Sequence, residues 1–364
     1  MSKRNGTLDF LKGCAAVCIV LHHASGMSGM TNFFYGGTLY IGYLVELFFM
    51  ISGYLAVLTF REQRPLAQAF VNKCRRLYPT AMLSIAVFLA LEIVVKVMFD
   101  QYWMYGWTPT STYGLFNIFS SLTLTSVGGA FGYEITRPLN SPTWYLNVLV
   151  LCYALFYAAA WLRRRLELKS ALPLHAAICL LGASVMSYQI NVPFLNGATG
   201  RGYCAFFLGC CLAWLTQHSA QDARLDRRLK WGALAVLCVS AVLLVFDPVT
   251  MMDNQWGALT FVIYPALLLF VCRSRVCAAL FNHSLFSLFG QVSFQSYLWH
   301  IPVFFAMTIV TRSLNIVLPT DWRMLTAFAV GNEIIALLMF LLVEKPLASR
   351  KPRPVQHIPE SGAA

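Results

Sequence analysis

The stretch LDFLKGCAAVCIVLHHASG, residues 8–26, is long and apolar enough to cross a bilayer, yet it contains charged and imidazole side chains. About 20 helical residues span a hydrocarbon core of roughly 30 Å. Asp9 and Lys12 lie near the start of the stretch, and His22 and His23 lie near its end. Ionisable groups are costly in lipid, so they usually face a protein interior or a cavity and have a function. The stretch therefore predicts a membrane helix with a functional polar face.

The whole chain has the composition of an integral membrane protein. Of its 364 residues, 58% are hydrophobic and 12% are charged, whereas soluble proteins carry about 25% charged residues. The first apolar stretch has no small-residue cleavage site and carries internal charges, so we do not expect it to be a signal peptide. The 11 cysteines lie in apolar runs or beside basic clusters, and we predict that they are reduced packing residues.

Ten apolar runs, each of about 20 residues, predict ten transmembrane segments. The runs are 8–27, 39–60, 77–99, 142–162, 172–190, 200–216, 231–247, 256–272, 289–311 and 324–344. Backbone polar groups in lipid must be satisfied within the segment, so the runs are predicted to be helices. The expected fold is an all-α integral membrane protein, with a membrane domain at 1–347 and a disordered polar tail at 348–364.

The distribution of lysine and arginine predicts the orientation. If the N-terminus is cytoplasmic, most of the 27 basic residues fall in cytoplasmic segments. The exceptions are Lys96, Arg137, Arg201, Arg312 and Arg323. Basic residues are enriched in cytoplasmic loops, so we predict that both termini are cytoplasmic and that the number of spans is even. Most basic clusters are explained by this topology alone.

The helical period places two of the ionisable residues of the first segment on one stripe. Eleven residues make almost three turns, so Lys12 and His23 are predicted to lie about 20° apart around the axis and roughly 16 Å apart along it. Asp9 is positioned to pair with Lys12 at i, i+3. His22 points about 100° away from His23, and we predict a structural role for it. His23 is the stronger functional candidate.

Two other segments offer partners for His23. In ELFFMISGYL, residues 46–55, Glu46 is expected near the depth of His23, where a carboxylate orients and stabilises an imidazole. In SFQSYLWHIPVF, residues 293–304, His300 is expected near mid-membrane, before a proline. A structural role for His300 stays open.

The aromatic residues on the predicted outer side have two interpretations. The segment 100–141 contains QYWMYGWTPTSTYG, and Trp144 and Tyr145 begin the fourth predicted span. Tyrosine and tryptophan are enriched at membrane interfaces, and their faces also suit carbohydrate. The sequence does not separate an interfacial belt from a sugar-binding surface.

Several short motifs resemble the acyltransferase 3 family in the order that family has. The pattern Lys12-x10-His23 resembles its opening signature, which more often begins with arginine. Further matches are ELFFMISGYL, NKCRRLYP, SPTWYL, RGYCAFFLG, SFQSYLWHIPV and VEKP, and together the matches extend from about residue 6 to residue 347. Each motif is weak alone, but the ordered set is fairly specific.

The resemblance implies transfer of an acyl group, usually acetyl, from cytoplasmic acyl-CoA to a hydroxyl of an extracytoplasmic or lipid-linked glycan. The short form of the chain resembles exopolysaccharide acetyltransferases of the xanthan type. The expected partners are acetyl-CoA as co-substrate, a polyprenyl-linked oligosaccharide or polysaccharide acceptor, and the bilayer. We expect no permanently bound cofactor, no metal site and no nucleic acid partner.

The resemblance also implies roles for individual residues. The predicted coenzyme A-binding cations are Lys12, Lys73, Arg75 and Arg76. The predicted catalytic residues are His23 as general base, Glu46 and His300. The predicted acceptor-binding residues are Ser52, Trp144, Tyr145 and Arg201. Ser52, Arg201 and His300 are alternatives for stabilising the oxyanion, and an acetyl-His23 intermediate stays open beside direct transfer.

Other functions remain as alternatives at the sequence level. A transporter or flippase for a lipid-linked glycan also needs many spans and intramembrane charges, but it often shows an internal repeat, and we find none. A scaffold subunit of an export complex does not need several ionisable groups at one depth. Within the enzyme class, lipopolysaccharide and small-molecule acceptors, and succinyl in place of acetyl, stay open.

Overall fold

A computed structural model describes residues 5–101, 112–127, 138–246 and 254–349, and every regular element in these ranges is helical. The helices are α1 (Gly6–Met27), α2 (Leu44–Thr59), α3 (Leu66–Phe99), α4 (Thr112–Leu122), α5 (Thr143–Arg165), α6 (Leu172–Ser187), α7 (Gly197–Ser219), α8 (Ala223–Phe246), α9 (Gln255–Arg273), α10 (Arg275–Phe281), α11 (Ser284–Ser313), α12 (Trp322–Met339) and α13 (Lys345–Ser349). Arg137, most of the segment QYWMYGWTPTSTYG and nearly all of the predicted tail lie outside the described residues.

Helices occupy all ten predicted spans, which confirms the all-α membrane fold. Seven of them are long and apolar enough to cross a membrane in the described part of the chain. Helix α6 has only 16 residues, and α7 and α11 are long but less apolar. Both α7 and α11 bury many residues against other helices of the protein, so they need less apolar surface. The chain is a multi-pass membrane protein, and the count of ten spans stays a prediction.

Helix α1 packs so closely on α11 that two positions of the contact have room only for glycine. A Cβ added at Gly13 would lie 2.2 Å from the ring of Phe289, and one at Gly290 would lie 2.3 Å from the Cα of Asp9. The start of α1 is capped by Asn5, whose side chain accepts hydrogen bonds from the next backbone N–H groups. The close contact at Gly13 and Gly290 fixes the rotation of α1, and it turns the face that carries His23 towards α11.

Helix α2 makes an equally close contact with α7. A Cβ at Gly53 would lie 1.8 Å from the carbonyl oxygen of Phe206, and one at Gly209 would lie 2.0 Å from that of Met50. The small residues in two of the quoted motifs therefore permit backbone contact between the helices, as is common in membrane proteins. The contact also aligns Glu46 on α2 with Arg201 on α7.

Helices α1 and α2 are antiparallel, which defines two ends of the bundle. At the basic end α1 begins and α2 finishes, and Arg163 and Arg164 donate to Glu62 at 2.8 and 2.6 Å. At the histidine end α1 finishes and α2 begins. The basic end is the one predicted to be cytoplasmic.

All 11 cysteines are free thiols, as the sequence analysis predicted. Cys152, Cys204 and Cys210 are fully buried in the core between α5 and α7. Cys238 is exposed on α8, where it does not pack against the protein, so the prediction of a packing role is wrong for this residue.

Candidate functional site

A cavity of about 180 Å³ opens into the bundle from the basic end. We call it the basic cavity; its lining comprises Lys12, Phe48, Ser52, Lys73, Arg76, Leu77, Tyr145, Leu149, Tyr153, Gly290, Gln291, Ser293, Phe294, Tyr297 and Glu344. Three of the four predicted coenzyme A-binding cations therefore share one cavity, although they come from two helices far apart in the sequence. Arg75 is exposed and is not part of the lining, so topology explains it better than donor binding.

The cations of the basic cavity are held in place by polar and aromatic partners. Lys12 Nζ lies 2.7 Å from Asp9 Oδ1, which confirms the predicted i, i+3 pair. Arg76 Nη2 lies 3.1 Å from Glu344 Oε1, and Lys73 Nζ lies 5.1 Å from the ring centroid of Tyr153. Arg76 is 61% exposed, so it lies at the mouth, while the other two cations extend deeper.

Glu344 belongs to a local irregularity in the last long helix. A π-helical turn at Phe340–Glu344 follows α12, and such turns are frequent at functional sites. Glu344 accepts from Gln295 Nε2 at 2.8 Å as well as from Arg76. The quoted VEKP motif thus contributes a buried carboxylate that positions a cavity cation, a role the sequence analysis did not assign.

The inner end of the basic cavity is aromatic and hydroxylic. The hydroxyls of Ser52 and Tyr145 lie 3.2 Å apart, and the Tyr145 and Tyr297 rings lie 5.7 Å apart. The structure therefore places Ser52 and Tyr145 in the basic cavity with three of the predicted coenzyme A-binding cations, whereas Trp144 and Arg201 do not line this cavity. The sequence analysis had grouped all four with the acceptor.

Beyond this inner end, the imidazoles of His22, His23 and His300 form a row. The rings of His23 and His300 stack with centroids 5.0 Å apart and planes 24° apart, and the rings of His22 and His23 lie 5.2 Å apart. His300 lies one helical turn from Tyr297, which lines the basic cavity. His23 therefore faces the protein interior, and it connects the other two histidines.

The outer two histidines of the row have defined tautomers. His300 Nδ1 lies 2.6 Å from the carbonyl oxygen of Tyr297, and His22 Nδ1 lies 2.6 Å from that of Phe34. A carbonyl oxygen only accepts, so each Nδ1 carries a proton and, in the neutral ring, each Nε2 carries a lone pair. His300 is fully buried, and its Nε2 has no hydrogen-bond partner among the described residues. His23 itself has no hydrogen bond from either ring nitrogen within the same part of the chain.

A second cavity, of about 350 Å³, lies at the histidine end. We call it the loop pocket; its lining comprises His22, Phe34, Gly36, Gly37, Thr38, Leu39, Tyr40, Tyr43, Asn254, Gln255 and Trp256. Among the described residues that line it, none is an acid, a lysine or an arginine. Gln255 joins its two walls, since it accepts from the Tyr40 N–H at 2.6 Å and donates to the Thr38 carbonyl at 2.7 Å.

Glu46 does not contact the histidine row, contrary to the prediction that it orients His23. Its carboxylate is fully buried and accepts from Arg201 at 2.5 Å (Nε to Oε1) and 2.8 Å (Nη2 to Oε2). Trp256 Nε1 also donates to it at 2.9 Å. These donors satisfy both carboxylate oxygens. A bidentate arginine–carboxylate pair is among the strong hydrogen-bonded pairs in proteins. The predicted Glu46–His23 pair is therefore wrong.

Arg201 has further partners beside Glu46. Its guanidinium also donates to the Gly42 carbonyl at 3.1 Å and lies 4.9 Å from the Trp144 ring centroid and 5.4 Å from that of Tyr43. Trp256 and Tyr43 also line the loop pocket. The ion pair thus supports the wall of that pocket, and it does not present a free cation to a reacting group.

The family model that describes an acyltransferase domain matches residues 5–342, nearly the whole chain. The chain belongs to this acyltransferase family. No curated protein and no solved structure matches it.

The motifs that resemble the acyltransferase family meet at the two cavities and the histidine row. Lys12 reaches the basic cavity and His23 reaches the row, so the first motif joins both parts on one helix. Among the described residues, no group of three or more His, Cys, Asp and Glu side chains has the geometry of a metal site.

Sequence reasoning missed the loop pocket and the exposure of His22 to it. The signals were present: TNFFYGGTLY, residues 31–40, follows the histidine doublet with glycines and aromatic residues, and NQW, residues 254–256, precedes α9. Nothing in the sequence showed that these two stretches face each other, because they are more than 200 residues apart.

Proposed function

We propose that this membrane acyltransferase moves an acetyl group from cytoplasmic acetyl-CoA to a sugar hydroxyl of a lipid-linked exopolysaccharide repeat unit, in a bacterial inner membrane. One observation carries the proposal. A row of imidazoles separates a cation-lined cavity at one end of the bundle from a neutral polar pocket at the other. Such an arrangement suits an anionic donor and an uncharged acceptor that meet inside the membrane.

The basic cavity supports a donor role through its charges and its depth. Lys12, Lys73 and Arg76 bind the phosphates of coenzyme A near the basic end, since ammonium and guanidinium groups are the usual partners of phosphate. The pantetheine arm then extends inward along the aromatic walls. The thioester carbonyl reaches the hydroxyls of Ser52 and Tyr145, which donate hydrogen bonds to the developing oxyanion.

The loop pocket supports an acceptor role through its neutral hydrogen-bonding groups. Aromatic faces from Tyr40, Tyr43 and Trp256 line it together with the amides of Asn254 and Gln255. Amides and aromatic rings suit the hydroxyls and the apolar faces of an uncharged sugar. Trp144, predicted to contact the acceptor, lies behind this wall against Arg201.

In the reaction, neutral His23 removes the proton from the acceptor hydroxyl as the oxygen attacks the thioester carbonyl. The carbon–sulfur bond then breaks, and the departing coenzyme A thiolate takes the proton from the His23 imidazolium. The His300 ring stacks on His23, and its buried Nε2 has no hydrogen-bond partner among the described residues. This stacking holds the plane of the His23 imidazole, and so His300 takes the orienting role that was predicted for Glu46.

The decisive experiment compares His23→Asn with His283→Asn in the purified full chain. Removal of a general base costs roughly 10²–10⁴-fold in rate, so His23→Asn should lose acetyl transfer and acceptor-dependent release of coenzyme A. His283 caps α11 through its side chain, and asparagine is a good cap, so the control should keep full activity.

Two results would overturn this proposal. The first is normal acetylation of the host glycan by His23→Asn, which would remove His23 from the chemistry. The second is a wild-type protein that transfers acyl groups only from a donor other than a coenzyme A thioester. Rapid denaturation at neutral pH during turnover also tests direct transfer, since an acetyl group recovered on His23 would replace that step by a two-step route.

A further inference from the structure

A third cavity, of about 510 Å³, opens at the basic end and shares no lining residue with the basic cavity. We call it the rim cavity. It lies between the ends of α2, α5 and α7 and the start of α6. Its lining comprises Val57, Phe60, Glu62, Phe156, Ala160, Arg163, Lys169, Ser170, Ala171, Leu172, His175, Cys210, Trp214, Gln217 and His218. The proposed acyl transfer uses none of these side chains.

The mouth of the rim cavity carries excess positive charge. Arg163 and Lys169 line it, and the run between them, RRRLELK, holds four cations and one acid. The Glu62 carboxylate accepts from Arg163 and neutralises one of these charges, whereas its uncharged backbone carbonyl accepts from Arg164. The remaining cations at the mouth attract an anion.

The interior of the rim cavity is apolar except for one buried imidazole. Phe60, Phe156 and Trp214 form its walls, and His175 stacks on Phe156 with centroids 5.4 Å apart. His175 is only 7% exposed, and its Nε2 has no hydrogen-bond partner among the described residues. Buried polar atoms are nearly always hydrogen-bonded, so an unpartnered nitrogen in a cavity wall indicates that a ligand or water completes it.

We propose that the rim cavity binds a membrane phospholipid with an anionic headgroup. The phosphate pairs with Arg163 and Lys169, a polar group of the glycerol region hydrogen-bonds to His175, and an acyl chain lies against Phe60, Phe156 and Trp214. Basic pockets between transmembrane helices on the cytoplasmic side recognise anionic lipid headgroups. An apolar interior below a cationic mouth matches a lipid better than a free phosphate. A bound lipid would link the ends of four helices, and therefore it would stabilise the fold.

The test measures thermal unfolding of the detergent-purified full chain during titration with phosphatidylglycerol, phosphatidylcholine or inorganic phosphate. We expect a saturable rise in Tm with phosphatidylglycerol and no saturable rise with the other two. The double variant Arg163→Gln/Lys169→Gln should need roughly tenfold more phosphatidylglycerol for half the effect, because it removes charge-assisted hydrogen bonds.

Matched variants make the result specific. Arg227→Gln/Arg228→Gln removes the same charge from exposed residues of α8 that do not line the cavity, and it should titrate like the wild type. Ala160→Phe keeps every cation but fills the cavity, and it should abolish the effect. Three results would overturn the proposal. The first is an equal rise in Tm with phosphatidylcholine or phosphate, and the second is an equal loss of the phosphatidylglycerol effect in the α8 control. The third is an undiminished rise in Tm in the two cavity variants. None of these readouts depends on acyl transfer, so they are separate from the proposed function.

Discussion

At the residue scale, the Glu46–Arg201 pair shows how a charge is tolerated in the centre of a membrane bundle. Glu46 is fully buried, and its oxygens accept from two side chains on other helices. A buried carboxylate is costly unless it is paired and hydrogen-bonded. Glu46 meets that condition through Arg201 and Trp256, and Trp256 also lines the loop pocket.

Replacing Glu46 by glutamine should therefore lower stability more than it changes the chemical step. Glu46→Gln leaves the Arg201 guanidinium without its carboxylate, and breaking a buried pair on one side costs on the order of 3 kcal/mol. Thermal unfolding in detergent measures the loss. Asp100→Asn breaks the pair with Lys96 at a carboxylate that is 94% exposed, and it should leave Tm unchanged. Equal Tm values for both variants would contradict this account.

The histidine row also belongs to the residue scale. Proton donation from His22 and His300 to backbone carbonyls leaves an Nε2 lone pair on each neutral ring. In this arrangement His23 is the imidazole without a fixed hydrogen bond among the described residues. A general base needs that freedom, since its nitrogen must reach the substrate hydroxyl.

At the element scale, two close helix pairs determine which side chains meet. Contact between α1 and α11 brings His23 to His300, and contact between α2 and α7 brings Glu46 to Arg201. Both contacts depend on glycines with no room for a Cβ atom. Lipid supplies little hydrophobic drive for helix association, so close backbone packing is a main source of affinity between such helices.

Gly53→Ala should disrupt the α2–α7 pair. The new Cβ would lie 1.8 Å from the Phe206 carbonyl oxygen, and backbone shifts that relieve overpacking cost typically 1–3 kcal/mol or more, here at the upper end. We expect a lower Tm and a lower yield of folded protein. In Gly331→Ala on α12, the added methyl group has no neighbour within 4 Å. Alanine has the higher helix propensity, so the free energy of unfolding should rise by up to about 1 kcal/mol. An unchanged Tm for Gly53→Ala would show that the two helices separate easily.

At the scale of the whole molecule, the two cavities approach the histidine row from opposite ends of the bundle. The basic cavity ends at Tyr297, beside His300, and the loop pocket ends at His22. Under the proposed function and the predicted orientation, donor and acceptor would enter from different sides of the membrane. In that proposal the acceptor hydroxyl and the thioester meet beside His23, and the row carries only the proton.

Lys73→Gln should weaken donor binding with little effect on the chemical step. Loss of one phosphate-binding cation should raise KM for acetyl-CoA about tenfold, in line with one charge-assisted hydrogen bond. The kcat should change little, and KM for a truncated acetyl-pantetheine donor without phosphates should be unchanged. Arg75→Gln removes an equal charge from an exposed side chain outside the lining, and it should leave both constants as they are. A parallel rise of both KM values in Lys73→Gln would exclude phosphate recognition by this residue.

The sequence by itself determined the all-α membrane fold, the Asp9–Lys12 pair and the inward-facing stripe of α1. These features are local: lipid forces apolar runs into helices, and the 3.6-residue period fixes which side chains share a face. The three cations of the basic cavity also carried a local signal, because they belong to short motifs on α1 and α3.

Only the tertiary structure decided the partners of the buried charges and the shape of the pockets. Glu46 and Arg201 lie 155 positions apart, and the sequence placed His23 at the depth of Glu46 without showing that a guanidinium satisfies the carboxylate first. The two walls of the loop pocket are joined across 215 positions by Gln255 and Tyr40. Such contacts depend on the rotation and spacing of packed helices, and these follow from interhelical fit that no local pattern encodes.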